Sequence, residues 1–215
     1  NITYQCFNQR CRLGETINGE FVGRVPACFN GQLIIKGGGF ADKTEIFSSN
    51  NENSIEVIVD RLYDVKLDLE VGNKPLDGTA IISFVDKNGK SVSTVLPDVS
   101  DVKLSEGDYS ITIYVYGNSS ITIPASKKTQ CQDIPQTGIL GFFGATKEKC
   151  FDIEIPETKI EYALRGGGKS DVYLLPLQLE EGILNLRVDS LPLPKSLEEL
   201  QYNYASFDGM GVQVE

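Results

Sequence analysis

The residues best equipped for chemistry in this chain are its five cysteines, because the sequence contains no histidine. Histidine is the commonest general base and transition-metal ligand, so its absence excludes triad hydrolases, histidine-ligated zinc enzymes and most nucleases. The cysteine spacings fit neither a zinc site nor a C-x-x-C redox centre, and they predict disulfides, which indicate an exported protein. The five are Cys6, Cys11, Cys28, Cys131 and Cys150.

The first three cysteines allow two pairings with Cys28 as one partner. A hairpin about Asn18-Gly19 would set Cys28 opposite residues that lie between Cys6 and Cys11. We favour a Cys11–Cys28 bridge, and Cys6–Cys28 is the alternative. The remaining thiol is then expected to join a cysteine upstream of this segment or one of another chain.

Cys131 and Cys150 bracket the loop with the strongest indication of binding, and we expect a disulfide between them. Inside the loop, GILGFFG places four large apolar side chains among three glycines, at Ile139, Leu140, Phe142 and Phe143. One hypothesis is that loop 137–144 inserts into a membrane or into a partner's groove. We favour the alternative, that these side chains fold back onto the protein, because large exposed apolar patches are rare in soluble proteins.

Two further patterns resemble functional sites without meeting their spacing. The run RGGGKS at residues 165–170 would need a glycine in place of Ala163 to form a phosphate-binding loop, so we predict a glycine-rich turn. The acidic residues do not form a twelve-residue calcium loop, and none is singled out as a catalytic acid or base. The sequence therefore predicts no metal, no cofactor and no enzymatic activity.

Charge and glycosylation signals describe the surroundings of the protein. The 30 acidic and 20 basic residues give a net charge of −10, which argues against binding to nucleic acid. Glycosylation sequons begin at Asn1 and Asn118, which agrees with an extracellular or cell-surface location. No apolar run is long enough to span a membrane as a helix, and the sequence resembles a segment of a longer protein.

The elements that must position these residues are mainly β-strands. Short apolar runs alternate with turn dipeptides, of which Asn88-Gly89 is the strongest hairpin signal. Tyr109 to Val115 alternates apolar and polar residues, as expected for a strand with one buried face. One helix is predicted, with Ser196 and Glu199 as its capping box. Its apolar face is expected to contain Leu197, Leu200, Tyr204 and Phe207.

Two stretches resemble carboxypeptidase regulatory-like domains, which are small β-sandwiches of the transthyretin-like or immunoglobulin-like kind. The first resemblance rests on Thr16, Gly19, Phe21, Pro26, Gly31, Gly39 and Phe40. The second rests on Pro75, Leu76, Gly78, Ala80, Gly89, Gly107 and Tyr109. Tandem domains of this kind imply a prokaryotic surface protein, and the arrangement looks archaeal.

We therefore predict an all-β protein of tandem small β-sandwiches with one short C-terminal helix. Residues 1–50 would form a partial regulatory-like domain, and 51–192 a larger sandwich with a disulfide-bounded insertion at 126–150. Residues 193–215 would supply the helix and a strand that pack on it. The predicted function is a structural or adhesive surface module whose partners are surface proteins, glycans or further copies of itself. The alternatives are a glycan- or protein-binding module and an accessory domain of a larger surface hydrolase.

Overall fold

The computed structural model describes residues 1–135 and 146–215, and it confirms the all-β prediction, with 58% strand and 8% helix. The strands are β1 (Ile2–Cys6), β2 (Gln9–Gly14), β3 (Gly31–Ile35), β4 (Lys43–Phe47), β5 (Leu62–Val71), β6 (Thr79–Asp86), β7 (Ser91–Leu96), β8 (Asp101–Ser105), β9 (Gly107–Ile123), β10 (Ser126–Pro135), β11 (Thr146–Ile155), β12 (Thr158–Leu174), β13 (Ile183–Ser190) and β14 (Val212–Val214). The helices are α1 (Pro176–Glu180) and α2 (Leu197–Phe207). The sequence analysis predicted α2 and missed α1.

The N-terminal unit is an antiparallel sheet in the order β2-β1-β3-β4. Tyr4 is its central core residue, since its ring is buried and its hydroxyl donates to the Phe47 carbonyl at 2.7 Å. Val57 also packs against this core, although it lies beyond residue 50 in the chain. The buried core residues of the unit are Ile2, Tyr4, Cys28, Leu33 and Phe47.

The predicted hairpin about Asn18-Gly19 requires residues 20–29 to form its second strand, and they do not form one. The hairpin about Asn18-Gly19 stops at the single bridge between Ile17 and Glu20. Beyond it, Ser49 holds the backbone in place of a neighbouring strand, because its hydroxyl donates to the Pro26 carbonyl at 2.6 Å and accepts from the Cys28 N–H at 3.0 Å.

The predicted Cys11–Cys28 pair is wrong, because the structure joins Cys28 to Cys6. The prediction extended the hairpin ladder as far as Cys28, and that ladder is absent. Cys6 ends β1 and packs against the same core as the buried Cys28, whereas Cys11 lies exposed on β2 with a free thiol.

The second unit is a β-sandwich. Its strands follow the order β7-β6-β9-β12-β13-β5-β8. The short strand β14 pairs with β13 on the edge opposite to β5. β12 meets β13 at Gly166 and Gly167 alone, so the sheet folds there into two layers that enclose one core. Both layers contribute alternate residues to this core, among them Leu67, Leu69, Ile82, Phe84, Ile111, Ile113, Leu184 and Leu186.

Glycines 166–168 were predicted to reverse the chain, and the structure instead places them inside the long strand β12. A Cβ atom on Gly166 would lie 2.6 Å from the Asp189 carbonyl oxygen, and one on Gly168 would lie 2.4 Å from that of Gly211. The glycines therefore allow neighbouring backbones to approach β12 where the two layers meet.

The Asn88-Gly89 hairpin forms between β6 and β7 as predicted, but its turn is not the type I′ turn that an Asn-Gly dipeptide favours. Only Gly89 has a left-handed backbone, with φ of 79°, whereas a type I′ turn needs two such residues. The Asp86 carboxylate stabilises the turn by accepting from the N–H groups of Asn88 and Lys90 at 2.8 and 2.9 Å.

Helix α2 begins at its predicted cap, where the Ser196 hydroxyl accepts from the Glu199 N–H at 3.2 Å. Of the predicted apolar face, Phe207 is buried and Leu200 half-buried, but Leu197 and Tyr204 are exposed. The second buried side chain of the helix is Asn203. The Asn203 amide donates to the carbonyls of Leu164 and Pro192, at 2.7 and 2.9 Å. A polar residue on the buried face is invisible to a search for apolar periodicity.

Replacing Asn203 with alanine is expected to lower the free energy of unfolding by about 2 kcal/mol, because two carbonyls lose their donor. Urea unfolding followed by circular dichroism measures this loss. Gln201→Ala, at an exposed position of the same helix, is the matched control and should change little. Equal stability of the Asn203→Ala variant and the wild type would contradict this role.

The two units are connected by backbone hydrogen bonds around the start of β5. The Ala41 N–H donates to the Asp60 carbonyl and the Leu62 N–H donates to the Gly39 carbonyl, both at 2.8 Å. Among the described residues, no helix is both long and apolar enough to cross a membrane.

Candidate functional site

The clearest candidate for a contact site is a two-stranded ribbon that continues the longest strand pair of the sandwich. β9 and β12 pair along their length, from Gly107 opposite Leu174 to Ile123 opposite Thr158. After short links, β10 and β11 form a second antiparallel pair of ten residues each, which corresponds to a length of about 34 Å. We call β10 and β11 together the arm. The arm occupies much of the predicted disulfide-bounded insertion at 126–150.

The arm is exposed on both faces. Every residue of 126–134 and 148–155 is solvent-exposed, so this part of the arm buries no side chain in the sandwich core. Cys131 and Cys150 lie directly opposite each other and form the predicted disulfide. The predicted binding residues Ile139, Leu140, Phe142 and Phe143 lie outside the described residues, so the hypothesis about loop 137–144 stays a prediction.

One face of the arm carries most of its apolar side chains. Alternate residues of a strand point to the same face, and directly opposite residues of an antiparallel pair share a face. Phe151, Ile153 and Ile155 are therefore neighbours along β11, with Ile134 on the same face of β10. We call this the apolar face. These four side chains are 38–46% exposed, although each is of a type normally found in a core.

The charged residues on the apolar face are lysines. Lys128 lies opposite Ile153, and the Lys149 ammonium lies 5.0 Å from the centre of the Phe151 ring, which is a cation–π contact. Among the described residues, neither lysine has a carboxylate within salt-bridge distance, and this face carries no acidic residue. The apolar face is thus locally cationic on a chain with a net charge of −10.

The opposite face of the arm, which we call the acidic face, has the reverse character. Lys127 is ion-paired with Glu154, and the Thr129 hydroxyl donates to Asp152 at 2.7 Å. Its other members include Asp133, Glu148 and the disulfide. The contacts across this face bind the two strands together, so the arm is amphipathic, with internal pairing on one face and unpartnered groups on the other.

Both edges of the arm are open within the described chain, because β10 and β11 form a sheet of two strands. Each strand therefore has backbone N–H and C=O groups without a strand partner on its outer side. An isolated two-stranded ribbon is marginally stable in water. Open edges and an unpartnered apolar face together make the arm suited to contact with another protein.

The arm brings one group of metal-ligating residue types together. Cys131, Glu148 and Cys150 place their ligand atoms within 4.8 Å of one another. The two sulfurs are joined in a disulfide, and a metal-binding cysteine must be a thiolate. One exposed carboxylate then remains, which is too few for a metal site.

The tyrosines of strand β9, which could otherwise offer a stacking surface to a sugar, are used for packing. Tyr109 is buried, and Tyr114 stacks on Phe207 of helix α2 with ring centres 4.5 Å apart. Burial raises the pKa of Tyr116 above its ordinary value, and the neighbouring Tyr204 raises it further. Helix α2 therefore covers part of the aromatic surface that a flat sugar ring would need.

A second candidate site is an apolar cleft of about 680 Å³ on the N-terminal unit. Leu13, Phe21 and Val57 are among its lining residues, and Lys36 at its edge is already ion-paired with Asp42. The cleft offers apolar surface without a convergent set of polar groups that would select a ligand.

The asparagines of both sequons are exposed, Asn1 at the end of the chain before β1 and Asn118 in β9. The Asn1 side chain accepts from the Arg12 guanidinium at 3.1 Å. Both positions are thus accessible for glycosylation.

Comparison of the chain with protein-family models, curated proteins and solved structures finds no match. The fold and the arm therefore define the class on their own: an all-β protein with two disulfides and an exposed amphipathic ribbon.

The apolar face of the arm was not identified from the sequence, although a signal for it exists. In FDIEI, Phe151, Ile153 and Ile155 alternate with acidic residues, which is the pattern of a strand with one apolar side. The segment was interpreted as a continuation of the sandwich, where such a face would be buried.

Proposed function

We propose that this protein is a non-catalytic structural or adhesive module of the cell surface, and that the apolar face of the arm contacts an acidic protein partner. One observation supports this proposal above the others. Phe151, Ile153, Ile155 and Ile134 stand together on an exposed face, and the sandwich has a complete core of its own. On that face, Lys128 and Lys149 form no ion pair with any of the described residues.

The chemistry of the arm favours a protein over a membrane or a glycan. Open strand edges carry backbone groups that the hydrocarbon core of a bilayer cannot satisfy. Sugar-binding surfaces rely on aromatic platforms, and Phe151 is the one aromatic residue of the arm's described strands. A protein partner can cover the apolar side chains, pair with the lysines and extend the sheet at an open edge.

Surface location and lack of catalysis are supported by separate observations. Two disulfides and two exposed sequon asparagines suit an oxidising, extracellular environment. The sequence contains no histidine. Burial and the neighbouring Tyr204 raise the pKa of Tyr116, and a hydrogen bond to one carboxylate raises the pKa of both Lys169 and Tyr173, so each of these pKa values has a structural cause.

Replacing both Phe151 and Ile153 with serine is expected to weaken binding to envelopes of the producing cells roughly thirtyfold. Each side chain has about half of its surface left to bury, which corresponds to about 1 kcal/mol apiece. Binding of the fluorescently labelled chain to isolated envelopes measures the effect. High salt should weaken wild-type binding as well, because it screens the lysines.

The matched control replaces Asp152 and Glu154, the alternating neighbours on the acidic face, with serine, and it should retain binding. Thermal unfolding of both variants checks that the sandwich remains folded. Protease treatment of the envelopes should abolish binding if the partner is a protein. Full binding by the Phe151→Ser, Ile153→Ser variant, or binding that survives protease and is reproduced by vesicles of the extracted lipids, would contradict the proposal.

A further inference from the structure

The open edge of β10 has a backbone geometry suited to accepting another strand. Cys131 and Cys150 have Cα atoms 3.9 Å apart, nearer to the roughly 4.5 Å of a non-hydrogen-bonded pair than to the roughly 5.5 Å of a hydrogen-bonded one. The N–H and C=O groups of Cys131 therefore point away from β11. By alternation, those of Lys127, Thr129 and Asp133 also point to the open edge.

The charges of β10 are complementary to those of β10 in a second, antiparallel copy. On the acidic face, the charged residues of β10 are Lys127 and Asp133. Gln130 lies midway between them in sequence, with its side chain on the apolar face. Two antiparallel β10 strands related by a two-fold axis at Gln130 would place Lys127 of each copy opposite Asp133 of the other. The same register joins the outward-pointing backbone groups of both strands, because these residues have their N–H and C=O groups at the open edge.

The edge of β11 lacks this complementarity. Its acidic-face charges are Glu148, Asp152 and Glu154, so two-fold registers centred on Cys150, Phe151 or Ile153 set carboxylates opposite each other. Like charges directly opposite in a sheet are destabilising. Charge therefore distinguishes the two open edges of the arm and favours β10.

We infer that two copies of this chain pair through β10, forming a four-stranded sheet in the order β11-β10-β10-β11. This inference rests on the proposed role of the arm as the contact element and goes beyond it by naming an edge, a register and a second copy as partner. All four strands then turn their apolar faces to the same side. The dimer presents twice the apolar surface of one arm, which strengthens binding to a repetitive surface through avidity.

Charge reversal tests the register. Lys127→Glu and Asp133→Lys are each expected to raise the dimer dissociation constant at least about tenfold, because each variant sets like charges opposite each other twice. An equimolar mixture of the two variants should form a mixed dimer, since the two substitutions restore opposite charges at both facing pairs. Sedimentation velocity on the intact, non-reduced chain over a wide concentration range measures all three samples. Glu154→Gln, which removes only the pairing of Lys127 within the arm, is the control and should still dimerise.

A cysteine at the axis gives a direct readout of position. Gln130→Cys, in a Cys11→Ser background, is expected to form a covalent dimer on oxidation, because residue 130 faces its own copy. Gln132→Cys, on the same face of β10, faces Lys128 instead and should give no covalent dimer. A wild-type chain that stays monomeric, or two monomeric variants whose mixture stays monomeric beside a dimeric wild type, would overturn the inference. Neither result decides the envelope-binding test of Phe151 and Ile153, so the two proposals fail separately.

Discussion

Gly167→Ala is expected to destabilise the sandwich by about 4 kcal/mol or more, or to prevent folding. Gly167 has φ of +132°, which residues with a side chain rarely adopt. A Cβ atom there would lie 2.0 Å from the Ile113 carbonyl oxygen and 2.8 Å from the Phe207 ring. Relief requires β12 to separate from β9, at the point where β12 also joins the second layer of the sandwich.

Two other glycines separate the causes of this effect. Gly107 has φ of +146°, and a Cβ atom there would meet nothing within 4 Å. Gly107→Ala therefore measures only the free-energy cost of a side chain at an unfavourable φ. Gly38 has open space and an ordinary φ, so Gly38→Ala should be close to neutral. Thermal and urea unfolding of the three variants gives the ranking. Similar stabilities for Gly167→Ala and Gly107→Ala would show that the close approach at β12 is not formed.

Removing the Cys6–Cys28 disulfide, by replacing both residues with alanine, is expected to destabilise the N-terminal unit by about 3 kcal/mol. The bond closes a loop with a sequence separation of 22, and Cys28 is part of the unit's small core. The sandwich has a separate core, so its own unfolding should change little. Differential scanning calorimetry is expected to show one transition shifted to lower temperature and the other retained.

The control for this prediction is Cys11→Ser, which removes the free thiol and should leave both transitions unchanged. Peptide mapping of the non-reduced protein should recover Cys6 linked to Cys28. A stability loss from Cys11→Ser, together with a peptide that links Cys11 to Cys28, would instead restore the pairing favoured from the sequence.

Local signals in this sequence predicted local structure well. The Asn88-Gly89 hairpin and the Ser196 cap were both predicted, because each depends on a few adjacent residues and on hydrogen bonds within one turn. The Cys131–Cys150 disulfide was predicted for a similar reason, since the two cysteines bracket one short loop.

Features that depend on distant parts of the chain were not predicted. The run from Gly166 to Gly168 has the composition of a turn. Glycine is needed there for another reason, because the backbones of Ile113, Asp189 and Gly211 come too close for a side chain. Cys28 bonds to Cys6, and residues 20–29 form irregular chain held by Ser49, which no local pattern indicates. In both cases tertiary contact overrides a local preference.

The sequence predicted part of the candidate site. The disulfide indicated residues 131–150 as a binding region, but the predicted binding residues lie at the tip of the loop and not on the strands that lead to it. Whether Phe151 and Ile153 face a core or the solvent depends on how far the ribbon extends past Ile123 and Thr158. Only the fold decides that length, and the same alternation of residues would suit a buried strand equally well.

The central claim, that the arm is the contact element, is tested most directly by hydrogen–deuterium exchange of the intact chain, alone and adsorbed on envelopes of the producing cells. In the free chain, the outward-pointing amides of β11 should exchange fast, while those of central strands such as β6 and β9 are protected. On binding, we predict slower exchange in residues 126–134 and 148–155, with the N-terminal sheet unchanged. Protection confined to the N-terminal unit, with an arm that exchanges as fast as in the free chain, would contradict the claim.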